Sequence, residues 1–309
     1  MHKVLMPVLI RLGSILLIVL ICVAGAVAVY MNRKPILIWA SGHRYRPRIP
    51  AQAQIFRDIE YTVFNGRSMR LDIYTPGRGN PHPLIVWLHS GAWKTLDKSC
   101  IEQGAMDQVS RGYALASVDY SLSYEEKWPA QLQQIRTAIQ WLGANAATYG
   151  INPAATVIWG MSAGGHLASV VGTSADLESG NRPCRIVAVV AWCAPSDLAE
   201  LSGGAYASAR QLLGYEPEAD SEKEIPANPL RYISRGDPPF YILHGGKDTV
   251  VPIASAVRFR DELEKAGVTV AFRVRDQYVH EDIRFNSAEC MPDLERFLDR
   301  LCLGKAGSQ

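Results

Sequence analysis

Hydrophobic residues in this chain follow two patterns that alternate along its length. Continuous apolar runs are typical of strands buried on both faces of a parallel sheet, and spacings of three and four residues are typical of helices with one buried face. The runs lie at residues 83–88, 113–118, 156–159, 186–194, 240–243 and 268–274. The helical spacings cover residues 99–111, 129–149, 166–173, 253–266 and 291–301. This alternation predicts an α/β fold with a mostly parallel, doubly wound sheet.

A different pattern opens this predicted domain. Alternating apolar positions over residues 56–64 and 69–74 are separated by Asn65-Gly66, a pair that favours a tight hairpin turn. We therefore expect the sheet to begin with antiparallel strands and the domain to cover residues 55–303. Residues 196–237 are richer in Gly, Pro and charged residues than the segments around them. A connection of this length between two strands predicts a small cap insertion that covers a functional site.

The N-terminal segment contains the longest apolar run. Residues 12–31 carry no charged side chain, and a helix of that length crosses a hydrocarbon layer of roughly 30 Å. Two interpretations of residues 1–34 remain open: a retained transmembrane helix, which the length of the run favours, and a secretory signal cleaved near Ala28. Residues 35–54 are predicted to be a linker. The membrane is thus an expected partner. We expect the catalytic domain outside the cytoplasm, but Arg44, Arg46 and Arg48 add positive charge on the C-terminal side and favour the opposite orientation, so the side of the membrane stays open.

Composition excludes several other classes of protein. The chain has 309 residues, 20% of them charged, and a net charge of +2, without the basic stripe interleaved with aromatic residues that nucleic-acid binding requires. Six cysteines without C-x-x-C spacing predict neither a zinc site nor a dense disulfide framework. We expect no metal and no organic cofactor, and one disulfide bridge and the oligomeric state stay open.

The run at 156–159 leads into the most informative motif, Gly160-Met-Ser162-Ala-Gly164. A G-x-S-x-G sequence between a strand and a helix places serine on a strained turn, where glycines two residues away leave room. The following helix directs its first N–H groups at any oxyanion formed there, and Ala163 N–H is the expected donor. Ser162 is therefore the candidate nucleophile, although glycine and serine also form plain turns.

A serine nucleophile needs a histidine base, and that histidine needs a carboxylate. In sheets of this kind the chain order is serine, acid, histidine. Asp248 follows the strand at 240–243, and His280 is the single one of seven histidines beyond it. Asp248 could instead cap the next helix, and Asp197 is the rival acid. Order along the chain favours a Ser162, Asp248 and His280 triad.

The oxyanion hole needs further N–H donors from the loop after the third strand. Residues 89–93 lie at that place, and Gly91 and Ala92 are small enough for their N–H groups to approach a substrate. Trp93 is a candidate substrate-binding residue that could equally serve only to pack. His89, His166 and His244 are predicted to be structural residues that bond neighbouring loops.

Four motifs together resemble those of a known family. The motifs are His89-Ser-Gly-Ala-Trp93, Val118-Asp-Tyr-Ser-Leu122 with Trp128-Pro-Ala130, Trp159-Gly-Met-Ser-Ala-Gly-Gly-His166 and His244-Gly-Gly-Lys-Asp-Thr-Val-Val-Pro252. In order and spacing they are similar to α/β-hydrolase esterases related to hormone-sensitive lipase, especially the carboxylesterase and feruloyl-esterase-like branch. Ser90 and Ala92 replace two glycines of the family pattern, and Glu281 replaces the small residue usually found after the base.

The resemblance implies a serine carboxylesterase that cleaves a small-molecule ester through an acyl-enzyme. An amide hydrolase, similar to a kynurenine formamidase or a peptidase, is the alternative within enzymes. A non-catalytic binding module on the same fold is the alternative from another class.

Overall fold

The computed structural model describes residues 46–77, 79, 81–174, 183–217 and 227–304. Within these ranges eight strands form one sheet with the order β1-β2-β4-β3-β5-β6-β7-β8. The strands are β1 (Gln54–Phe64), β2 (Arg67–Thr75), β3 (His82–Leu88), β4 (Ala114–Val118), β5 (Ile151–Met161), β6 (Ile186–Trp192), β7 (Phe240–Gly245) and β8 (Val270–Arg275). Strands β3 to β8 are parallel, and β2 is antiparallel to β1 and β4. The predicted mostly parallel sheet is confirmed.

The predicted N-terminal hairpin is also confirmed. Asn65 and Gly66 connect β1 to β2 with φ values of 47° and 77°. Two consecutive positive φ values are those of the turn that matches the twist of a hairpin, and asparagine and glycine adopt them at least cost.

An irregularity interrupts β1, which lies at one edge of the described sheet. The register with β2 shifts between Phe56 and Ile59, and Asp58 has a φ of 55°. The N–H of Asp58 donates to the Asp72 carboxylate at 2.8 Å. Lys98 Nζ lies 2.9 Å and 2.8 Å from the carboxylates of Asp58 and Asp72. This is a β-bulge held by an ion-pair network.

Helices and turns connect the strands. The helices are α1 (Gln103–Asp107), α2 (Ala130–Ala144), α3 (Ala146–Tyr149), α4 (Ala163–Thr173), α5 (Gly203–Leu213), α6 (Ile253–Lys265) and α7 (Met291–Cys302). The predicted helix over 129–149 is in fact two, because the backbone of Asn145 is not helical, with φ −103° and ψ 9°. The side-chain amide of Asn145 donates to the carbonyl of Trp141 at 2.8 Å. The helical pattern at 99–111 yields only α1 and a 3₁₀ turn at 108–111.

The core covers both faces of the sheet. Leu84, Val86 and Leu88 of β3 belong to a buried cluster with residues of α2, α4 and α6. Side chains alternate between faces along a strand, so Trp87 lies on the opposite face, where its ring contacts Trp159 at 5.9 Å. On that face Tyr241 of β7 packs against Phe297 of α7. The double winding predicted from the sequence is therefore present.

The predicted cap segment, residues 196–237, is described except for residues 218–226. Its main element is α5, whose last turn receives two hydrogen bonds from the segment before α2. Lys127 Nζ donates to the carbonyl of Gln211 at 2.8 Å. The N–H of Trp128 donates to the carbonyl of Leu212 at 2.9 Å. Whether this segment covers a bound substrate stays a prediction.

The predicted membrane segment, residues 1–34, lies outside the described residues, as do residues 35–45 of the linker. Among the helices that the structure does describe, none combines the length and the apolar character needed to span a bilayer. The transmembrane helix therefore stays a prediction.

Candidate active site

The candidate nucleophile lies on the turn between β5 and α4. Ser162 has φ 52° and ψ −117°, a conformation that L-residues adopt only under constraint. A Cβ at Gly160 would lie 2.2 Å from the carbonyl oxygen of Gly164, and one at Gly164 would lie 2.0 Å from that of Leu88. No side chain fits at either glycine, so the G-x-S-x-G pattern is a steric requirement of this turn.

The structure brings the three predicted triad side chains together. His280 Nε2 lies 2.9 Å from Ser162 Oγ, and His280 Nδ1 lies 2.7 Å from Asp248 Oδ2. Ser162 is 8% exposed and the His280 side chain 14% exposed, so both are reachable from solvent. The spacing allows a proton to pass from the hydroxyl to the imidazole while the carboxylate fixes the ring.

Asp248 uses its two carboxylate oxygens for different tasks. Oδ1 accepts hydrogen bonds from the N–H groups of Val250 and Val251 at 2.9 Å and 2.8 Å, while Oδ2 contacts His280. Helix α6 begins later and has Pro252 at its N-cap, so Asp248 does not cap it. The carboxylate closes its own loop and orients the base.

Electrostatics keep this carboxylate ionised. Burial raises the pKa of Asp248, but hydrogen bonds from His244, His280 and the Val251 N–H outweigh it and hold the pKa well below its usual range. For His280, burial lowers the pKa, while Cys193 and the Asp248 carboxylate raise it, and the net direction is upward. The site therefore stabilises the imidazolium that forms when His280 accepts a proton.

The rival acid Asp197, and Asp282 close to His280 in sequence, are both engaged elsewhere. Asp197 Oδ2 accepts from Arg258 at 3.1 Å, and its Oδ1 caps the 3₁₀ turn at 198–200. Asp282 accepts from the N–H of Val279 and from Arg284, and so shapes the turn around His280. Neither carboxylate orients the imidazole in this structure.

The loop expected to form the oxyanion hole has a strained backbone. Gly91, Ala92 and Trp93 have φ values of 106°, 51° and 58°. A Cβ at Gly91 would lie 2.3 Å from the Thr95 carbonyl oxygen, so only glycine fits there. The N–H of Gly91 donates to Ser90 Oγ at 2.5 Å.

The other two expected oxyanion donors are the N–H groups of Ala92 and Ala163, and their hydrogen bonding differs from that of the Gly91 N–H. Within the described ranges, the N–H groups of Ala92 and Ala163 have no hydrogen-bond acceptor. Of the three predicted oxyanion donors, two are therefore open to a ligand, and Gly91 must exchange its bond to Ser90 for one to substrate.

Sequence reasoning missed one contact at this loop. Ser90 Oγ donates to Glu281 Oε1, which lies 4.0 Å from His280 Nε2. Glu281 has a φ of 51°, and this conformation turns its side chain back towards the site although it follows His280 directly. The signal was available: Ser90 and Glu281 both depart from the family pattern, and the two departures contact each other.

Trp93 and the other histidines occupy buried positions. Trp93 is 2% exposed and its ring meets that of His166 edge-on at 5.3 Å. Packing in the core therefore explains the position of the Trp93 side chain, and its contact with substrate stays a prediction. Burial lowers the pKa of His166 to about 4, and its Nε2 hydrogen-bonds the Ala227 carbonyl at 2.6 Å. His89 and His244 bond the Ser90 and Val251 carbonyls, as structural residues do.

Cys193 is a second residue that sequence reasoning undervalued. Its position within the apolar run at 186–194 predicts burial, and the thiol is indeed buried. However, Cys193 Sγ lies within 4.8 Å of a carboxylate oxygen of Asp248 and a ring nitrogen of His280. In the structure Cys193 directly follows β6, at the edge of the sheet where sites form. Cys100, Cys184, Cys290 and Cys302 are also free thiols, so the disulfide left open does not form among these five.

Comparisons with known proteins identify a matching family and several relatives. Residues 71–263 match the model of the BD-FAE family. The chain is 30% identical to the esterase LipQ of Mycobacterium tuberculosis over 253 residues, which are 75% of this chain and 59% of LipQ. It is 25% identical to the kynurenine formamidase of Drosophila melanogaster over 236 residues, 75% of this chain and 77% of that protein.

A similar solved structure is a truncated carbohydrate esterase from gut microbiota. It has a TM-score of 0.75 and 23% identity, and the match covers 83% of this chain and 99% of that one. This likeness shows the α/β-hydrolase fold. The chain spans 48% to 59% of the lengths of the three mycobacterial esterases LipM, LipQ and LipC.

Proposed function

The chain belongs to the BD-FAE family, and from this membership we propose that it is a serine carboxylesterase in which Ser162, His280 and Asp248 form the triad. The observation that carries the proposal is the continuous hydrogen-bond chain from Asp248 Oδ2 through His280 to Ser162 Oγ, at 2.7 Å and 2.9 Å. Serine, imidazole and carboxylate in this order activate a hydroxyl that is otherwise a poor nucleophile.

In each step of the proposed reaction, one of these groups transfers a proton, forms a bond or stabilises a charge. His280 Nε2 takes the Ser162 proton as Oγ attacks the ester carbonyl, and Asp248 stabilises the resulting imidazolium. The N–H groups of Ala92 and Ala163, joined by that of Gly91, hold the oxyanion. The imidazolium then protonates the departing alcohol. A water, deprotonated by His280, attacks the acyl-enzyme and releases the acid with Ser162 restored.

Covalent labelling tests this proposal. A phosphonate ester should add one phosphonyl group per chain, and peptide mapping should find it on Ser162, since the reagent reacts with activated serines. A chain that resists the reagent while folded would instead be a binding module. Reagents of graded chain length also measure the acyl pocket.

An amide hydrolase is the second candidate, because the similarity to kynurenine formamidase covers most of both chains. Ester and amide cleavage use the same apparatus, so only turnover separates them. We expect kcat/KM for a short aryl ester to exceed that for the matched N-formyl or peptide amide. The reverse order would identify an amidase.

We also propose that residues 12–31 anchor the enzyme in a membrane as a single helix, with the catalytic domain outside the cytoplasm. The support is the length of the uncharged run and its flanking Arg11 and Arg33. The full chain should sediment with membranes after a carbonate wash, and a chain beginning at residue 46 should not. If expression of the full chain instead yields a shorter protein in the soluble fraction, the segment is a cleaved signal.

A further inference from the structure

The thiol of Cys193 joins two triad residues in a compact group. Its Sγ, a carboxylate oxygen of Asp248 and a ring nitrogen of His280 all lie within 4.8 Å of one another. Cys193 follows β6 directly with a φ of 38°, and its N–H donates to the carbonyl of Leu243 in β7 at 2.8 Å. The backbone therefore fixes the thiol beside the strand that leads to Asp248.

These three groups match the ligand preferences of a thiophilic divalent cation. Thiolate, imidazole and carboxylate bind Zn²⁺ at about 2.0 to 2.3 Å, which places ligand atoms roughly 3.3 to 3.8 Å apart in a tetrahedral site. The three atoms lie within 4.8 Å of one another, and His280 Nδ1 and Asp248 Oδ2 lie 2.7 Å apart, so an ion bound between them would widen that contact to the tetrahedral range. Elsewhere in the described chain, no other three such side chains are grouped in this way.

We propose that Cys193, Asp248 and His280 form an inhibitory binding site for Zn²⁺ or a similar thiophilic cation such as Cd²⁺, with water as the fourth ligand. The inhibition rests on the proposed esterase function, whereas binding does not. The ion enters from the partly exposed His280 side, because Cys193 itself is buried.

Protons balance in the binding step. The Cys193 thiol releases its proton to solvent and binds as thiolate. In the neutral form that acts as a base, His280 carries its hydrogen on Nδ1, which faces Asp248 Oδ2. An ion bound at Nδ1 displaces this hydrogen, and the imidazole then carries one on Nε2. One proton leaves per ion bound to the neutral imidazole, and two leave when His280 starts as the imidazolium. With a hydrogen on Nε2 the imidazole donates to Ser162 Oγ and cannot accept its proton, so nucleophilic attack stops.

Metal titration of the intact protein tests the site. In chelator-treated buffer, Zn²⁺ should abolish hydrolysis of a short p-nitrophenyl ester, and EDTA should restore it. Cys193→Ala and Cys193→Ser should still hydrolyse the ester without added metal, because the thiol forms no bond in the proposed reaction. Each variant is compared at its own pH optimum, because Cys193 raises the pKa of His280. Both variants should bind the ion at least about tenfold more weakly. Cys184→Ala, which removes another buried thiol, is the matched control and should stay sensitive.

Binding is measured independently of activity. Cd²⁺ should produce a thiolate-to-metal charge-transfer band in the wild type and in Cys184→Ala, but not in either Cys193 variant. A protein that shows the band yet hydrolyses no ester would refute the proposed function and leave the metal site standing. Equal Zn²⁺ sensitivity in the Cys193 variants, or no Cd²⁺ band in the wild type, would overturn the metal site.

Discussion

Replacing Ser162 with alanine is expected to lower kcat for a short p-nitrophenyl ester by roughly 10⁴- to 10⁶-fold. The variant lacks the atom that forms the acyl-enzyme, and the remaining oxyanion donors supply only residual catalysis. Alanine keeps the Cβ, so it meets the same backbone constraint as serine at φ 52°. The free energy of unfolding should therefore change by no more than about 1 kcal/mol.

A second serine on the same helix provides the matched control. Ser169 is buried and its hydroxyl donates to the carbonyl of Gly165 within α4 at 2.8 Å. Ser169→Ala removes a helix hydroxyl but no reacting atom, and it should retain most of the activity. Steady-state kinetics and thermal unfolding of both variants separate chemistry from folding. Undiminished hydrolysis by Ser162→Ala would disprove the proposed nucleophile.

The Asp248→Asn variant should lose about 10³- to 10⁴-fold in kcat/KM. The amide oxygen can still accept from the N–H groups of Val250 and Val251, so the loop should persist. The amide carries no charge to stabilise the imidazolium of His280. An amide NH₂ turned towards Nδ1 also favours the tautomer with a hydrogen on Nε2, which cannot accept the serine proton.

The same variant should change the pH profile. His280 acts as a base only when deprotonated, so activity falls as pH drops below its pKa, and the Asp248 carboxylate raises that pKa. Without the carboxylate, the acid limb of residual kcat/KM should move to lower pH. Asp197→Asn loses the pairing with Arg258 and should keep near-normal rate and profile. Equal losses in both variants would mean that Asp248 acts only through stability.

The sequence predicts well whatever depends on periodicity and order. Buried strands such as β3 and β5 are continuous apolar runs, because a parallel sheet is covered on both faces. The triad followed from chain order, since a single histidine lies beyond Asp248. The break between α2 and α3 at Asn145 is not predictable from spacing. The apolar positions keep their helical spacing through the break, so the pattern looks like one helix.

Residues near the site were missed where the backbone adopts an unusual conformation. Glu281 and Cys193 both have positive φ, and sequence spacing does not reveal such a turn of the chain. Glu281 lies directly beside His280 in sequence, and Cys193 lies in the apolar run at 186–194, which predicts only burial. The Ser90 hydroxyl occupying the Gly91 N–H was equally hidden, because it depends on a side-chain rotamer.

The bulge at Asp58 also affects how the molecule meets its neighbours. Among the described residues β1 lies at one end of the sheet, and an edge strand is a template on which a strand of another chain could assemble. The register shift bends strand β1, and the charged side chains of Arg57, Asp58 and Lys98 lie at the bend. Such an edge disfavours intermolecular β-pairing, and so protects the protein from aggregation where many copies are crowded together.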